Sequence, residues 1–599
     1  MAVVTWDGSA STDFATAANW DTGSVPNGTS DVVIPDTSSI NNPTLGADIT
    51  INSLEIQTNA TIVGNASYTI TCDGEASAGD AAGHAFYANA GALGTLLNIT
   101  ITTQAATNIR VLPASGTLRD LTINHSSCAV TQVGGYTINN NLTITAGSYS
   151  TGSDASLTVT GQCLVNGGTL TLNGSTVDFG DVNHSSGTIN GNTSTIDLNT
   201  KTGGGWIWYQ SGGTWNYNTC TVNCKQNGKH INANDWYNLN IECPSSGEAI
   251  IFRDNSGNTV TVHNDLTIKE GHFKRDLSSD TLTVTGDVSV ESGGTLGHVD
   301  QSAGAENFGS LTIASGGTYI ATSGTTTITS ENSGTGIAWN NTGGTFTHNS
   351  GKVSFTTAAN TIIRENTFYD FEMTADASGR VYEIRDVSGN TITIANDLTI
   401  KEGNLKRTTV GDTFTVTRHV SVESGGTLGH ADETGANNFG SLTIASGGTY
   451  IATSGTTKIT SEAGSGYCIQ TTGTFTHNKG LVEIDFGSGI TEGQNGPYWD
   501  LLLSDPDSDF YTSEAWEIYN NFDLVGDFDV QNNAHHITVH GNMTIGDGST
   551  TTRYMNATAY TNNLTVGGTL HITNGATADL GTHGTVNVGG IRNTGGSIS

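Results

Sequence analysis

Carboxylates recur at matched places along this chain: Glu270 and Glu402 in KEG, Glu291 and Glu423 in VESGG, and Asp300 and Asp432 two residues after His298 and His430. Two carboxyl groups about 5 to 9.5 Å apart can cleave a glycosidic bond, one as general acid and the other as base or nucleophile. Stacked coils of chain would bring Glu270 near Glu291, a geometry compatible with such a pair. An active site copied into two successive units suits catalysis poorly, however, whereas solvated carboxylates in turns are common. The expectation is therefore the solvated turn, and no catalytic residue is assigned.

Other groups raise metal chemistry. His298 with Asp300, and His430 with Asp432, suit a metal or a proton relay, but neither pair has an evident third ligand. His535, His536 and His540 in HHITVH are denser. On a strand His536 and His540 share one face while His535 points the other way, so structural or solvated imidazoles are expected. Asp505, Asp507 and Asp509 in SDPDSDF offer oxygens at alternate positions, which hard cations favour, so calcium is the one candidate cofactor. The EF-hand loop fails, because its sixth position is not Gly and its twelfth is not Glu. GxSxG, the Walker A loop, HExxH and a GxGxxG following a strand are absent.

Aromatic side chains gather in Trp206-Ile207-Trp208-Tyr209 and again in Trp215-Asn216-Tyr217. On a regular strand Trp206 and Trp208 face the same way and, with Tyr209, make a platform on which sugar rings can stack; these three are the candidate glycan-binding residues. The competing expectation is stacking inside the coil, supported by Trp339 and Phe346 at corresponding positions. The seven cysteines, Cys72, Cys128, Cys163, Cys220, Cys224, Cys243 and Cys468, form no CxxC. They read as small buried apolar side chains in a reduced compartment, Cys220 and Cys224 on one side of a strand.

The elements that would carry these residues are strands. Alternating runs such as LTVTGDVSV (282–290) and TITIANDLTI (391–400) have the period of two of a half-buried strand, and only seven prolines interrupt 599 residues. Charged residues are 13% and hydrophobic ones 35%, so hydroxyls and amides supply most of the polar surface. The charge of −34 repels phosphate backbones, which excludes nucleic acid as a partner. MAVVTWDGSAS lacks the basic and apolar regions of a secretory signal, and no run reaches the length of a membrane span.

Repetition then fixes the architecture. FGSLTIASGGTYIATSGTT occupies 308–326 and, unchanged, 439–457; NDLTIKEG (264–271) and VSVESGGTLGH (288–298) return 132 residues later. A third copy keeps only the pattern: Trp236-Tyr237-Asn238-Leu239, Phe368-Tyr369-Asp370-Phe371 and Tyr498-Trp499-Asp500-Leu501 correspond. A worn, shorter copy lies upstream. Within a unit Leu266, Val288 and Leu311 are 22 and 23 apart, the beat of a solenoid coil, with Gly supplying the turns. The expectation is an all-β, parallel β-helix or β-solenoid with tandem repeats of about 130 residues and an amino-terminal cap; a string of β-sandwich modules is the alternative. About 25 coils at ~4.8 Å each would make a rod on the order of 120 Å long. The expected segments are 1–55 (cap or attachment), 56–200 (degenerate first unit), 201–332, 333–462 and 463–599 (three solenoid repeats, the last with a carboxy-terminal cap).

The opening order, Trp6-x-Gly8, Asn19-Trp20, Gly23-x-x-Pro26 and Asp31-Val32-Val33-Ile34, resembles that of β-helical surface proteins. Among these are autotransporter adhesins and bacteriophage repeat proteins, and the later LxVxGxLxIxxGGxL phrases are similar to the same group. The chain departs from autotransporters in its lack of a signal and of a terminal barrel. The resemblance thus implies a structural, non-enzymatic protein of a phage virion surface, as tail fibre, tailspike or capsid decoration. It would dock on other virion proteins through its amino-terminal segment, bind host-surface glycan, and form a trimer if a fibre. A tailspike-type polysaccharide depolymerase and a cell-surface adhesin or extracellular filament subunit are the alternatives.

Overall fold

The computed structural model describes residues 1–599 apart from 90–91, 94–96, 112–117, 154, 200–204, 234, 254–258, 276–279, 298–303, 386–390, 463–465, 487–488, 493–495, 505–507, 513–514, 531–535, 549–552, 557–562 and 581–583; at 92–93, 489–492, 508–512, 529–530, 553 and 555–556 it describes strand backbone only. The alternation of Val, Ile and Leu with Thr and Ser is realised as strand: 58% of the chain is β and 1% helix, wound into a parallel β-solenoid of about 22 turns.

One coil shows how the sequence builds this. Strand Thr259–Val262 leads into strand Leu266–Arg275, which turns a corner without breaking. Val260 stacks on Leu282, Leu266 on Val288 and Phe273 on Leu296 of the next coil, so each coil has three faces. All six side chains are at most 1% exposed, while the intervening Thr residues point outward. Burying side chains of this size stabilises by about 1.5–3 kcal/mol each, which makes the inward rows the main adhesive between coils. The coil length is not constant. Cys163 stacks on Val182, 19 residues on, and Leu311 on Trp339, 28 residues on; coils of the longer kind take up more chain per turn than a uniform 22-residue beat allows.

Two compact units divide the chain: Met1–Gln301 with Gly316–Thr318, and Ser302–Ser315 with Tyr319–Ser599. In the first, the amino-terminal segment closes over an aromatic triad. Trp6, Phe14 and Trp20 are at most 2% exposed, with Trp20 edge-on to both others at 5.0 and 4.8 Å. Trp6 Nε1 donates to Asn41 O and Trp20 Nε1 to Phe14 O, so neither indole N–H is buried unpaired. Three strands of this unit, Asp120–Val133, Leu157–Thr171 and Thr176–Asn190, run far beyond the three to five residues of an ordinary coil side, with shifts of register where they round a corner.

The repeats fold alike. In the nineteen-residue duplicate, Leu311, Ile313 and Tyr319 are buried, as are Leu442, Ile444 and Tyr450. Gly293 and Gly425, in the two VESGG turns, have φ of +89° and +90°. A Cβ at Gly293 would stand 2.6 Å from Glu270 Oε2, and one at Gly425 would meet Glu402 Oε2. Glycine is therefore favoured by the backbone, and a side chain there would also displace the carboxylate lying over it.

The second unit also buries charge. Arg407 and Glu433 have side chains only 2% and 3% exposed, joined through Nε at 3.0 Å and through Nη2 at 2.5 Å. Arg407 also donates to the carbonyls of Asp412 and Ala436, and its own N–H donates to Glu433 Oε1. Tyr319 bonds Glu306 and Thr326 in one repeat, and Tyr450 bonds Asn437 and Thr457 at the same places in the other.

Candidate functional site on the outer faces of the coils

The inward rows are filled by packing, so chemistry available to a partner lies outside. The aromatic platform expected at Trp206, Trp208 and Tyr209 is not assembled. Trp206 pairs with His230 but Trp208 pairs with Ile231, so strand Trp206–Gln210 carries one extra residue there. This bulge turns Ile207 and Trp208 both inward, 0% and 1% exposed, and leaves Trp206 as the one of the two tryptophans on the outer side. Trp208 joins an interior stack with Trp215 at 4.7 Å and Trp236 at 5.2 Å. Trp206 instead forms a half-buried outer cluster with Tyr209 and His230, each ring at 5.2 Å. The same bulge recurs at Ile337–Trp339, where the interior stack includes Phe346 at 4.8 Å.

A longer outer row went unmarked in the sequence. His477, Trp499, Tyr519 and His540 stand one above another: His477 is 5.4 Å from Trp499 and 5.3 Å from Tyr519, and Tyr519 is 5.5 Å from His540. Lys479 lies 5.7 Å over the Trp499 ring, and His540 Nε2 bonds Glu517 at 2.9 Å. Burial and then the Lys479 charge hold His477 below the usual imidazole range. Equivalent pairs occur earlier, Tyr217 on His263 at 4.6 Å and His348 on Tyr369 at 5.5 Å. The signal was partial: Trp499, Tyr519 and His540 each follow an inward residue by one, as Trp499 follows Tyr498, and so face out, whereas His477 stands two after the buried Phe475 and alternation alone does not place it. Tyr519 and His540 stack face to face while His477 meets Trp499 and Tyr519 at a tilt, and these contacts tie successive coils together.

The carboxylates are likewise engaged along the stack. Glu270 stands in register with Glu242, which pairs with Lys269 and lies 3.8 Å from Lys225, and its own carboxylate lies over Gly293 rather than across from the exposed Glu291. In the second unit Glu372 bonds Lys352 at 3.1 Å and Lys401 at 3.0 Å, and Lys458 joins Glu483 and Asp485. Desolvation opposes ionisation of Glu372, but the two lysines outweigh it and hold its carboxyl below the usual range. Glu402 lies over Gly425, and Glu423 is half-buried in its turn.

His430 accepts the Asp432 N–H at 3.3 Å, a local turn contact between half-exposed and exposed residues. His536 and His540 are both exposed; His536 Nδ1 accepts from Asn563 N–H. His298, Asp300, His535, Asp505 and Asp507 lie outside the described residues, as does the side chain of Asp509. Among the described residues no group of three or more His, Cys, Asp and Glu is placed to hold a metal ion, and no helix is long and apolar enough to cross a membrane.

All seven cysteines are buried with free thiols. Desolvation pushes Cys220 and Cys468 up to about 12 and Cys128 and Cys243 up to about 11, so they stay protonated and inert.

No family model, no curated protein and no solved structure matches this chain.

Proposed function

We propose that the chain is a non-enzymatic structural and attachment protein, a β-solenoid displayed on the surface of a phage particle as fibre, spike or decoration. The observation that carries this reading is the duplicated coil. Nineteen identical residues repeat the same buried Leu, Ile and Tyr in both copies, so the duplication adds coils and packing rather than a second set of reactive groups. The outer carboxylates paired with lysines along the stack, and the outer rings stacked on each other, support the same reading. The amino-terminal segment is the docking end in this proposal, and host-surface glycan the target.

Incubation of the purified protein with host capsule or lipopolysaccharide tests it. The polymer should remain intact; release of defined oligosaccharides would replace the proposal with a tailspike-type depolymerase. Immunoblotting of purified virions tests the location, and absence of the chain from particles would favour a cell-surface adhesin or an extracellular filament subunit.

A further inference from the structure

A cavity of about 400 Å³ lies on the outer side of the first strands, lined by Val3, Thr5, Asp31, Val33, Ser53, Glu55, Gln57 and the loop residues Ala76, Ala78, Gly79 and Asp80. Its size is that of a small-molecule site. The floor is two rungs of the parallel ladder: Val3, Asp31 and Ser53 stand in one row, Thr5, Val33 and Glu55 in the next. The opposite wall is fixed. Ser77 donates its N–H and its hydroxyl to Asp31 Oδ2 at 3.2 and 2.7 Å, and Asn52 bonds both Asp31 and the Glu75 carbonyl, so the loop is pinned across the strands. Burial works against the Asp31 charge, but bonds from Asn52, Ser77 and Ser53 prevail and hold its carboxyl below the usual range. Asp31 is thereby spent on building the wall.

Glu55 is in a different position. It is 7% exposed, and among the described residues its side chain receives one hydrogen bond, from Gln57 to Oε1 at 3.0 Å. Oε2 lies open to the cavity beside Gly79, with Asp80 at the rim. A carboxylate oxygen that faces the cavity with no protein donor is free to meet a cationic partner there. Among the described residues no basic side chain lines the cavity.

We propose that this cavity binds a primary ammonium group on an aliphatic stem, with Glu55 Oε2 as its counter-ion and Val3, Val33, Ala76 and Ala78 covering the stem. A guanidinium fork needs both carboxylate oxygens, and Oε1 is taken by Gln57; a compact ammonium needs one. Among the described residues the carboxylates here are not placed as a set of three that could hold a metal ion. A neutral sugar would leave the Glu55 charge uncompensated, and an anion would be repelled by Asp31, Glu55 and Asp80. The ammonium comes either from a free diamine or from a lysine side chain of a partner protein. The site stands independently of the attachment reading.

Calorimetric titration of the full chain with cadaverine, with Nα-acetyl-lysine methylamide and with the Nε-acetylated form of the latter tests the proposal. At least one amine should bind, with a dissociation constant on the order of millimolar, and the Nε-acetylated compound should not. Binding of cadaverine alone identifies a free amine as the ligand; binding of the lysine compound identifies a partner's lysine. Glu55→Gln should weaken binding by about tenfold or more, and Ala78→Phe, which fills the cavity without touching the charge, should abolish it. The proposal fails if neither amine binds up to about 50 mM, if the acetylated compound binds equally, or if either variant, folded by circular dichroism, keeps full affinity.

Discussion

Replacing Arg407 by Met tests how the second unit tolerates charge in its interior. The substitution keeps most of the volume but removes the bonds from Nε and Nη2 to Glu433 and those from Nη1 to the Asp412 and Ala436 carbonyls. Glu433, 2% exposed, would keep only the bond from the Arg407 backbone N–H. Removing one partner of a buried ion pair costs about 3–5 kcal/mol, because the survivor's charge is left uncompensated. Replacing both residues, as Arg407→Met with Glu433→Leu, should recover part of that loss, since neither charge is then left uncompensated, but not all of it, because the Arg407 N–H and the Asp412 carbonyl lose their side-chain partners. A solenoid opens coil by coil, so a single unfolding midpoint would blur the effect. Hydrogen exchange by mass spectrometry over strands Asp397–Arg407, Thr413–Val422 and Asn437–Ile444 reads it locally. The single variant should exchange there about a hundred- to a few-thousand-fold faster, and the double variant at a rate between the single variant's and the native one. The reasoning is refuted if the single variant exchanges within about fivefold of native, or if the double variant is as damaged as the single.

Four further outcomes follow from the same geometry. Burial raises the carboxyl of Glu365 despite bonds from Asn341 and from the N–H groups of Asn366 and Thr367. The folded chain therefore binds this proton more tightly than the unfolded chain. The group's contribution is full below its ordinary value of 4.5 and is lost as pH rises through the folded value, so Glu365→Gln should gain stability relative to native as pH rises above 4.5 in urea titrations. Glu306→Asn, which installs the residue found at Asn437, should change local stability by less than about 1 kcal/mol, checked by exchange over strand Glu306–Ile313. Gly425→Ala should cost about 1–2 kcal/mol through its φ of +90°, while Gly411→Ala, with nothing near its Cβ, should stay within about 0.5 kcal/mol, compared by thermal midpoints. The native thiols should resist an aromatic disulfide reagent until denaturant is added, with the rate of modification following unfolding.

The repeating fold was readable because inward positions alternate and recur: Leu266 and Val288 are 22 apart in sequence and stacked in space. Interior stacking, the competing expectation for these aromatics, holds for Trp208, whereas the shared outer platform fails because a one-residue bulge reverses the alternation, and nothing in WIWYQ marks it. Arg407 left a trace that alternation itself provides. It falls in phase with the buried Leu405, so the rule that places Leu inward places the guanidinium inward too, though not its partner 26 residues away. The cavity over Glu55 had no such trace, since its wall is a loop pinned from outside the strand pattern by Asp31 and Ser77.

The duplicated nineteen residues carry a hazard for the folding chain: two indistinguishable coils compete for two different successors. Leu311 is followed in the stack by Trp339, but Leu442 by Ile469. A coil that accepted the wrong successor would meet an indole where it should meet a sec-butyl group, or leave a void in the reverse case, and either misfit costs on the order of 1–3 kcal/mol. The copies themselves cannot tell the chain where it is. Their unlike neighbours act as the address, biasing each identical coil toward its own place and away from exchange with its twin or with the same coil of a second molecule.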